Sequence, residues 1–453
     1  MNIQFLGATD TVTGSKYLIR SGDSTVLVDC GLFQGYKQLR LRNWAALPVA
    51  AASIDAVILT HAHIDHSGYL PLLARQGFKG KVFCTPATAD LCRLLLPDSG
   101  HLQEEEAAYA NRHSLSKHAP ALPLYTREDA DRCLKLLHPV ACGKHWHPVP
   151  GLNASLTPSG HMLGASFVLL DNGSRSILFS GDIGRPNDLL LQAPSPMAGA
   201  DYLVVESTYG DRLHNKASPL LELGQVIQRT AARGGVVLIP AFAVGRAQSL
   251  LHCIRLLKDQ GVVAKKLPVY LNSPMAAGAT QLYVQHGDEL KLTPEQCAAM
   301  ARTAHIVASP QESRELNTRH GPMIIIAASG MATGGRVVHH LKAFASDQRN
   351  TIVFAGFQAG GTRGAVIAGG ASSVRIHGED VPVRAEVVQL DDLSAHADAG
   401  EIVAWLQGFK SAPRKTFITH GEPAASDAMR QRIERELHWA CHMPYYLETV
   451  GLD

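Results

Sequence analysis

Four side chains able to hold a metal fall within six residues: His61-Ala62-His63-Ile64-Asp65-His66. They follow residues 56–60, an apolar run that reads as a strand. In the extended segment beyond it, His61 and His63 point to the same side and can share one metal. The chain then turns into a helix, which aims Asp65 and His66 at a second metal beside the first. Neutral imidazole nitrogen and carboxylate oxygen are donors that zinc prefers, and such a set leaves room for water. The plainer reading is four polar residues on a loop. Twenty-two histidines raise the odds of a metal site without locating it.

The elements that must position such a site begin with short strands at residues 2–7, 15–20 and 24–29, successive members of a meander. After the histidine cluster, residues 67–76 read as a helix, and 88–137 as a more polar helical stretch containing Gln103-Glu104-Glu105-Glu106. Strands return at 154–157, 165–170 and 176–180. From about Asp211 the texture changes. Residues 235–240, 268–271, 323–328 and 351–356 are continuous apolar runs, most followed by helical patterns, the signature of a parallel sheet with crossover helices.

A chain of 453 residues exceeds the usual limit for one hydrophobic core, which implies two domains. Its composition is that of a globular protein, 46% hydrophobic and 18% charged, and a net charge of +2 gives no argument for a polyanionic partner. The scattered cysteines contain no CxxC pair and read as buried thiols in a reducing compartment. No signal peptide precedes the first strand and no apolar run reaches the ~18 residues of a membrane span. A cytoplasmic protein without membrane contact is expected.

The HxHxDH cluster resembles the second motif of the metallo-β-lactamase superfamily, and further motifs follow in order. Asp29, ending Thr25-Val26-Leu27-Val28-Asp29, resembles the first motif; alone it reads as a turn-capping aspartate. His161 in Ser159-Gly160-His161-Met162 resembles the third, and Asp182 in Ser180-Gly181-Asp182-Ile183 the fourth. Glu206 in Val205-Glu206-Ser207-Thr208, His396 in Ala395-His396-Ala397-Asp398 and His420 in Thr419-His420-Gly421-Glu422 resemble motifs A, B and C of the β-CASP branch, to which RNase J belongs. Alone, Glu206 reads as a strand-end carboxylate in a salt bridge. A histidine in motif C is the mark of RNA-processing members.

The resemblance implies an α/β protein: a metallo-β-lactamase αββα sandwich at 1–209 and 385–453, interrupted by a Rossmann-like β-CASP domain at 210–384. It implies that His61, His63, His161 and Asp182 hold one zinc, and that Asp65, His66, Asp182 and His420 hold the other. Manganese is a substitute in vitro. A shared hydroxide attacks phosphorus in the family's two-metal scheme. Asp65 orients it or takes its proton, and His396 contacts the scissile phosphate and donates to the leaving oxygen. Glu206 holds His396, and Asp29 supports the ligands from behind. The substrate implied is RNA, cleaved internally, from an end, or both. The chain stops soon after motif C, whereas RNase J-type exonucleases carry an appendage there, which favours internal or dual cleavage. A homodimer is a further partner state.

Two glycine-rich turns complete the reading. Residues 329–336 (Ser329, Gly330, Thr333 and Arg336 among them) open a helix whose backbone N–H groups suit a phosphate. Residues 356–364 are similar, but Arg363 is displaced from the family position. Arg246, Arg314, Arg319 and Arg336 are candidate groove cations. Ordinary strand-to-helix turns are equally rich in glycine. His145 and His147 have HxH spacing without the following Asp-His, and His113 and His118 read as a solvated face. Two other functions stay open: a hydrolase of a small ester or thioester, and a non-catalytic RNA-binding subunit.

Overall fold

The computed structural model describes residues 1–453 except 215–218, 357, 359 and 391–393. The chain forms two compact units: residues 1–188, 192–213 and 396–453 make the first, and residues 189–191 with 214–395 the second.

The first unit holds two seven-stranded sheets. One runs Thr449–Gly451, Asn2–Phe5, Tyr17–Ser21, Ser24–Val28, Ala56–Ile58, Lys81–Cys84, Leu137–Pro139. The other runs Cys441–His442, Lys415–Ile418, Tyr202–Val205, Ser176–Phe179, Ser166–Asp171, Leu152–Pro158, His145–Val149. Alternate residues of each sheet meet in one core: Ile3, Phe5, Ile19 and Val28 from the first, Leu156, Val168, Phe179 and Val204 from the second. The opposite face of the second sheet (Phe167, Leu178, Leu203, Val205) packs on Ile402, Val403 and Leu406 of helix Ala399–Leu406, and on Met429 and Ile433 of helix Pro423–Leu437. Leu18, Leu27, Val57 and Val82 of the first sheet, on its other face, are buried too. The helix Pro86–Arg112 contacts that sheet's edge strand Leu137–Pro139. This is the αββα layering the motifs imply.

The single helix expected at 67–76 is two: Ile64–Ser67 and Leu70–Arg75. Gly68 caps the first, and Pro71, which has no N–H to continue a ladder, sits in the first turn of the second. The early break leaves Asp65 and His66 inside a one-turn helix directly after His63.

The second unit is a parallel six-stranded sheet in the order His305–Ile306, Val269–Asn272, Met323–Ala327, Val236–Pro240, Thr351–Phe354, Glu386–Gln389. Its central strands are buried along their whole length, which explains their unbroken apolar sequences. Strand Glu386–Gln389 pairs with Thr351–Phe354, so the second unit runs past the expected break at 384/385 to Ala395. Among the described residues no helix is long and apolar enough to cross a membrane.

Candidate metal centre

Strands of the two sheets release their chains into one cluster of imidazoles and carboxylates. His61, His63, His161 and Asp182 form one group whose donor atoms all lie within 4.8 Å of one another, and Asp65, His66 and His420 form a second. In the first, His63 Nδ1 is 3.1 Å from His61 Nε2 and 3.2 Å from His161 Nε2. In the second, His66 Nε2 is 3.1 Å from His420 Nε2, which lies 3.4 Å from Asp65 Oδ2. Asp182 divides its oxygens between them. Oδ2 lies 3.4 Å from His61 and 3.3 Å from His161, while Oδ1 lies 3.3 Å from His66 and 3.5 Å from His420.

The protons on these rings follow from their outer partners. Asp29 Oδ2 accepts from His66 Nδ1 at 2.7 Å, so His66 turns Nε2 to the cluster. The Thr60 hydroxyl donates its one proton to Asp29 (2.9–3.0 Å) and therefore accepts from His61 Nδ1 at 3.0 Å, which leaves His61 Nε2 as a lone pair. On the other side, Thr208 Oγ1 donates to the His420 carbonyl and accepts from His420 Nδ1 at 3.1 Å. Thr60 and Thr208 were not singled out by sequence, since a threonine beside a motif carries no sign of which way its hydroxyl faces. Asp29 and His420 both hold a left-handed backbone, φ 58° and 51°, at strand ends.

Burial pushes the His61 imidazole down to about 3 and that of His63 to about 4, and drives His161 well below its ordinary value. All three are neutral at pH 7, the form that binds metal. Burial works against the Asp182 anion, but the surrounding imidazoles of His420, His66, His61 and His161 outweigh it and hold the carboxyl well below the usual range. Burial likewise opposes a charge on His66, yet Asp182 and Asp29 raise it well above the ordinary imidazole value. Without a cation the anionic Asp182 draws a proton onto its neighbour.

The donor set fits a divalent cation in each group. Asp182 Oδ1 is buried and accepts no hydrogen bond, a costly condition for a carboxylate unless a positive charge faces it. His63 Nδ1 has a ring nitrogen on each side, His61 Nε2 at 3.1 Å and His161 Nε2 at 3.2 Å, and a single ring proton can serve only one of them. Nitrogen and carboxylate oxygen without sulfur are ligands for zinc or a similar ion.

Beside the first group, the buried Glu206 lies 3.1 Å from His396 Nδ1 and accepts the Ile183 N–H at 2.6 Å. His396 is tied to the Asp182 loop by a bridge to Gly184, and Ala397 N–H donates to the Ile183 carbonyl at 2.8 Å. A side chain on Gly184 would collide with the Gly160 carbonyl, so glycine lets the His161 and Asp182 loops touch. Burial opposes a charge on His396, but Glu206 and Asp182 prevail and push it up to about 9.

Comparison with known proteins gives the family. Residues 10–217 match the metallo-β-lactamase superfamily, 247–367 the β-CASP domain, and 380–444 the Zn-dependent metallo-hydrolase RNA specificity domain. Ribonuclease TTHA0252 of Thermus thermophilus is 38% identical over 429 residues, 93% of each chain. The chain belongs to the β-CASP family of the metallo-β-lactamase superfamily. A transcription termination factor, FttA of Methanocaldococcus jannaschii, is 30% identical over 99% of this chain and 71% of its own. A crystal structure of a protein of unknown function from Enterococcus faecalis shares the fold, with a TM-score of 0.53 at 12% identity over 99% of each chain.

The residues expected to meet RNA lie in the β-CASP unit, and several of them have partners within it. Arg336 Nη1 donates to Asn272 Oδ1 (2.7 Å) and to the Val307 carbonyl (3.0 Å). Ser329 Oγ and Thr333 Oγ1 pair at 3.1 Å across their own turn. A Cβ on Gly330 would strike Phe242, and one on Gly356 would stand 3.6 Å from the Arg246 guanidinium. Arg363 ties the two glycine-rich turns together by donating to the Thr333 carbonyl at 2.8 Å; Phe357 and Ala359 of the second turn lie outside the described residues. Arg314 and Arg319 have local partners, Gln311 and Tyr270. His145 and His147 lie on an edge strand and join no metal-holding group among the described residues. His113 and His118 are exposed.

Proposed function

We propose that this protein is a zinc-dependent ribonuclease that hydrolyses RNA phosphodiester bonds at a two-metal centre. The observation that carries this is the split of Asp182, one oxygen towards His61 and His161, the other towards His66 and His420. A carboxylate with one oxygen towards each group suits a pair of cations: His61, His63, His161 and Asp182 would hold one ion, and Asp65, His66, Asp182 and His420 another. A pair of zinc ions supplies Lewis acidity, which stabilises charge on the phosphoryl oxygens and makes water acidic enough to attack near neutral pH.

The protein's own groups do the rest. Asp65, held anionic against burial by its hydrogen bond to His420 and by His66, is placed to orient the attacking water or take its proton. Glu206 holds His396 through Nδ1 and favours its charged form, so His396 delivers a proton to the leaving oxygen of the scissile phosphodiester. Asp29 and Thr60 fix the ring protons of His66 and His61. The name of the Thermus relative, the RNA specificity match at 380–444 and the motif C histidine support RNA as substrate. Cysteines that are mostly buried suit a reducing cytoplasm.

RNA labelled at the 5′ end and then at the 3′ end, incubated with and without chelator and resolved by fragment length, tests the reading. Metal-dependent shortening of either label supports it, and the fragment pattern separates internal from terminal cleavage. Intact RNA beside brisk thioester hydrolysis would replace it with the small-substrate reading.

A further inference from the structure

Between Gly31 and Ala45 the chain makes an excursion that contributes little to the core. It holds the six-residue helix Lys37–Arg42, in which no residue is buried. Tyr36 just before it and Trp44 just after it are 59% and 57% exposed, and Leu41 is 56% exposed. Residues 34–47 contain three basic side chains, Lys37, Arg40 and Arg42, and no acidic one. Two large aromatic rings more than half exposed on a segment whose charges are all basic form a group of the kind found at interaction surfaces.

The excursion is nonetheless firmly built. Asn43 clasps Phe33 with two hydrogen bonds, accepting its N–H at 2.9 Å and donating to its carbonyl at 2.8 Å. Lys16, buried between the Phe33 and Tyr69 rings, donates from Nζ to the Gly31 carbonyl at 2.5 Å. Arg42 stacks 4.3 Å over the ring of Tyr446, whose neighbour Tyr445 is 72% exposed. The base of the excursion is continuous with the metal-binding segment: Cys30 N–H donates to the His66 carbonyl (2.7 Å) and Leu32 N–H to that of Ile64 (2.9 Å). A Cβ on Gly31 would overlap the Asp65 carbonyl, so the two backbones are in direct contact.

We propose that this excursion is a second RNA-gripping surface, on which Tyr36 and Trp44 stack unpaired bases while Lys37, Arg40 and Arg42 face the backbone phosphates of the same strand. Aromatic faces interleaved with cations on a segment without acidic residues match single-stranded nucleic acid, since every base has a face to stack and every linkage a charge to meet. A second copy of this chain would bring the same three positive charges against themselves unless an acidic patch faced them, which disfavours it as the occupant. The inference rests on the ribonuclease reading for its ligand.

The test uses the double variants Tyr36→Ala/Trp44→Ala and Lys37→Glu/Arg40→Glu, each assayed on single-stranded RNA and on bis(p-nitrophenyl) phosphate, a diester small enough to need only the metal centre. The aromatic pair should raise KM for RNA about tenfold or more with little change in kcat. The charge pair should also flatten the dependence of RNA affinity on salt, by a slope of about one for each cation removed. Turnover of the small diester should be unchanged in both. An RNA KM that stays at the wild-type value overturns the proposal, and so does an equal loss on both substrates, which would mean a disturbed metal centre. A dimer that Trp44→Ala splits, with RNA KM unaltered, would make the surface a self-contact instead. If the wild-type protein hydrolyses the small diester but not RNA, the ribonuclease reading fails by itself. Binding of an RNA oligonucleotide to chelated protein, followed by tryptophan fluorescence, then decides the surface: loss of quenching in Trp44→Ala supports it, and no binding by the wild type overturns it.

Discussion

Buried histidines occur in both units, and their surroundings are opposite. In the β-CASP unit His340 is fully buried with each ring nitrogen matched. Nε2 accepts from Asn272 Nδ2 and Nδ1 donates to Asn317 Oδ1, both at 2.6 Å. Asn272 in turn donates to Ser313 Oγ and accepts from Arg336. This network is complete as it stands. In the metal centre the outer nitrogens of His61, His66 and His420 are matched just as carefully, by Thr60, Asp29 and Thr208, while the inner nitrogens of His61 and His66 face Asp182 and that of His420 faces His66 and Asp65. Imidazoles satisfied on both sides hold a fold together. Those satisfied on the outside and in conflict on the inside await a cation.

The sharpest way to break that contrast is to remove the shared carboxylate. In Asp182→Asn the side chain keeps its shape but offers one oxygen and an N–H, so it can no longer serve both groups. Bound metal, counted by mass spectrometry on chelator-free protein, should fall from two ions to at most one, and RNA cleavage should drop below detection. Full occupancy with normal turnover would show that the inner nitrogens need no bridge. Next in size is His396→Ala, which leaves every metal donor in place. Loss of a general acid costs about 10²–10⁴-fold in kcat, with metal content and KM nearly unchanged. If RNA affinity fell as far as kcat, His396 would be a binding contact.

How far this contrast was legible in the sequence depends on distance along the chain. The HxHxDH cluster announces itself because its members are neighbours and their spacing alone aims them. Asp182, His396 and His420 were placed by resemblance to ordered motifs, as nothing local to them predicts a shared cleft. Thr60 and Thr208 escaped altogether, since a hydroxyl that sets a ring proton looks like any strand-end threonine. Arg336 sits at a glycine-rich helix start and reads as a groove cation; that its Nη1 donates to Asn272, 64 residues earlier, is a contact no local pattern shows. Near the expected boundary at 384, Glu386–Gln389 is a four-residue edge strand, too short in sequence to show that it joins the sheet of Thr351–Phe354.

Thr60→Val sharpens the outer half of the comparison. It removes the one hydroxyl that serves His61 directly and His66 through Asp29. Weakening a partner behind metal ligands costs about 10–100-fold in metal affinity, and here both ions should be affected together. Titration with a competing chelator checks this; unaltered affinity would mean that the rings hold their tautomers without help.

The smallest effect is expected in the network that is already complete. Burial, together with the nearby His339 and Arg336, pushes the His340 imidazole down to about 4. The unfolded chain therefore takes up this proton near pH 6.5, while the folded protein resists it until about pH 4. The unfolded state binds more protons across that window, so the contribution of His340 to stability is complete above pH 6.5 and is lost as the pH falls towards 4. In His340→Gln nothing titrates at this position, and the variant should be less stable at pH 7.5 by about 1–3 kcal/mol, the cost of an imperfectly replaced buried hydrogen-bond pair. The gap in melting temperature between wild type and variant should then narrow steadily from pH 6.5 to pH 4. Both proteins are melted in chelator, so that acid release of metal from the other unit does not enter, and turnover of the small diester by the metal-loaded variant should match the wild type. A gap that widens in acid would mean that His340 is charged in the folded protein, and the distinction between a finished network and a waiting metal centre would no longer rest on matched ring nitrogens.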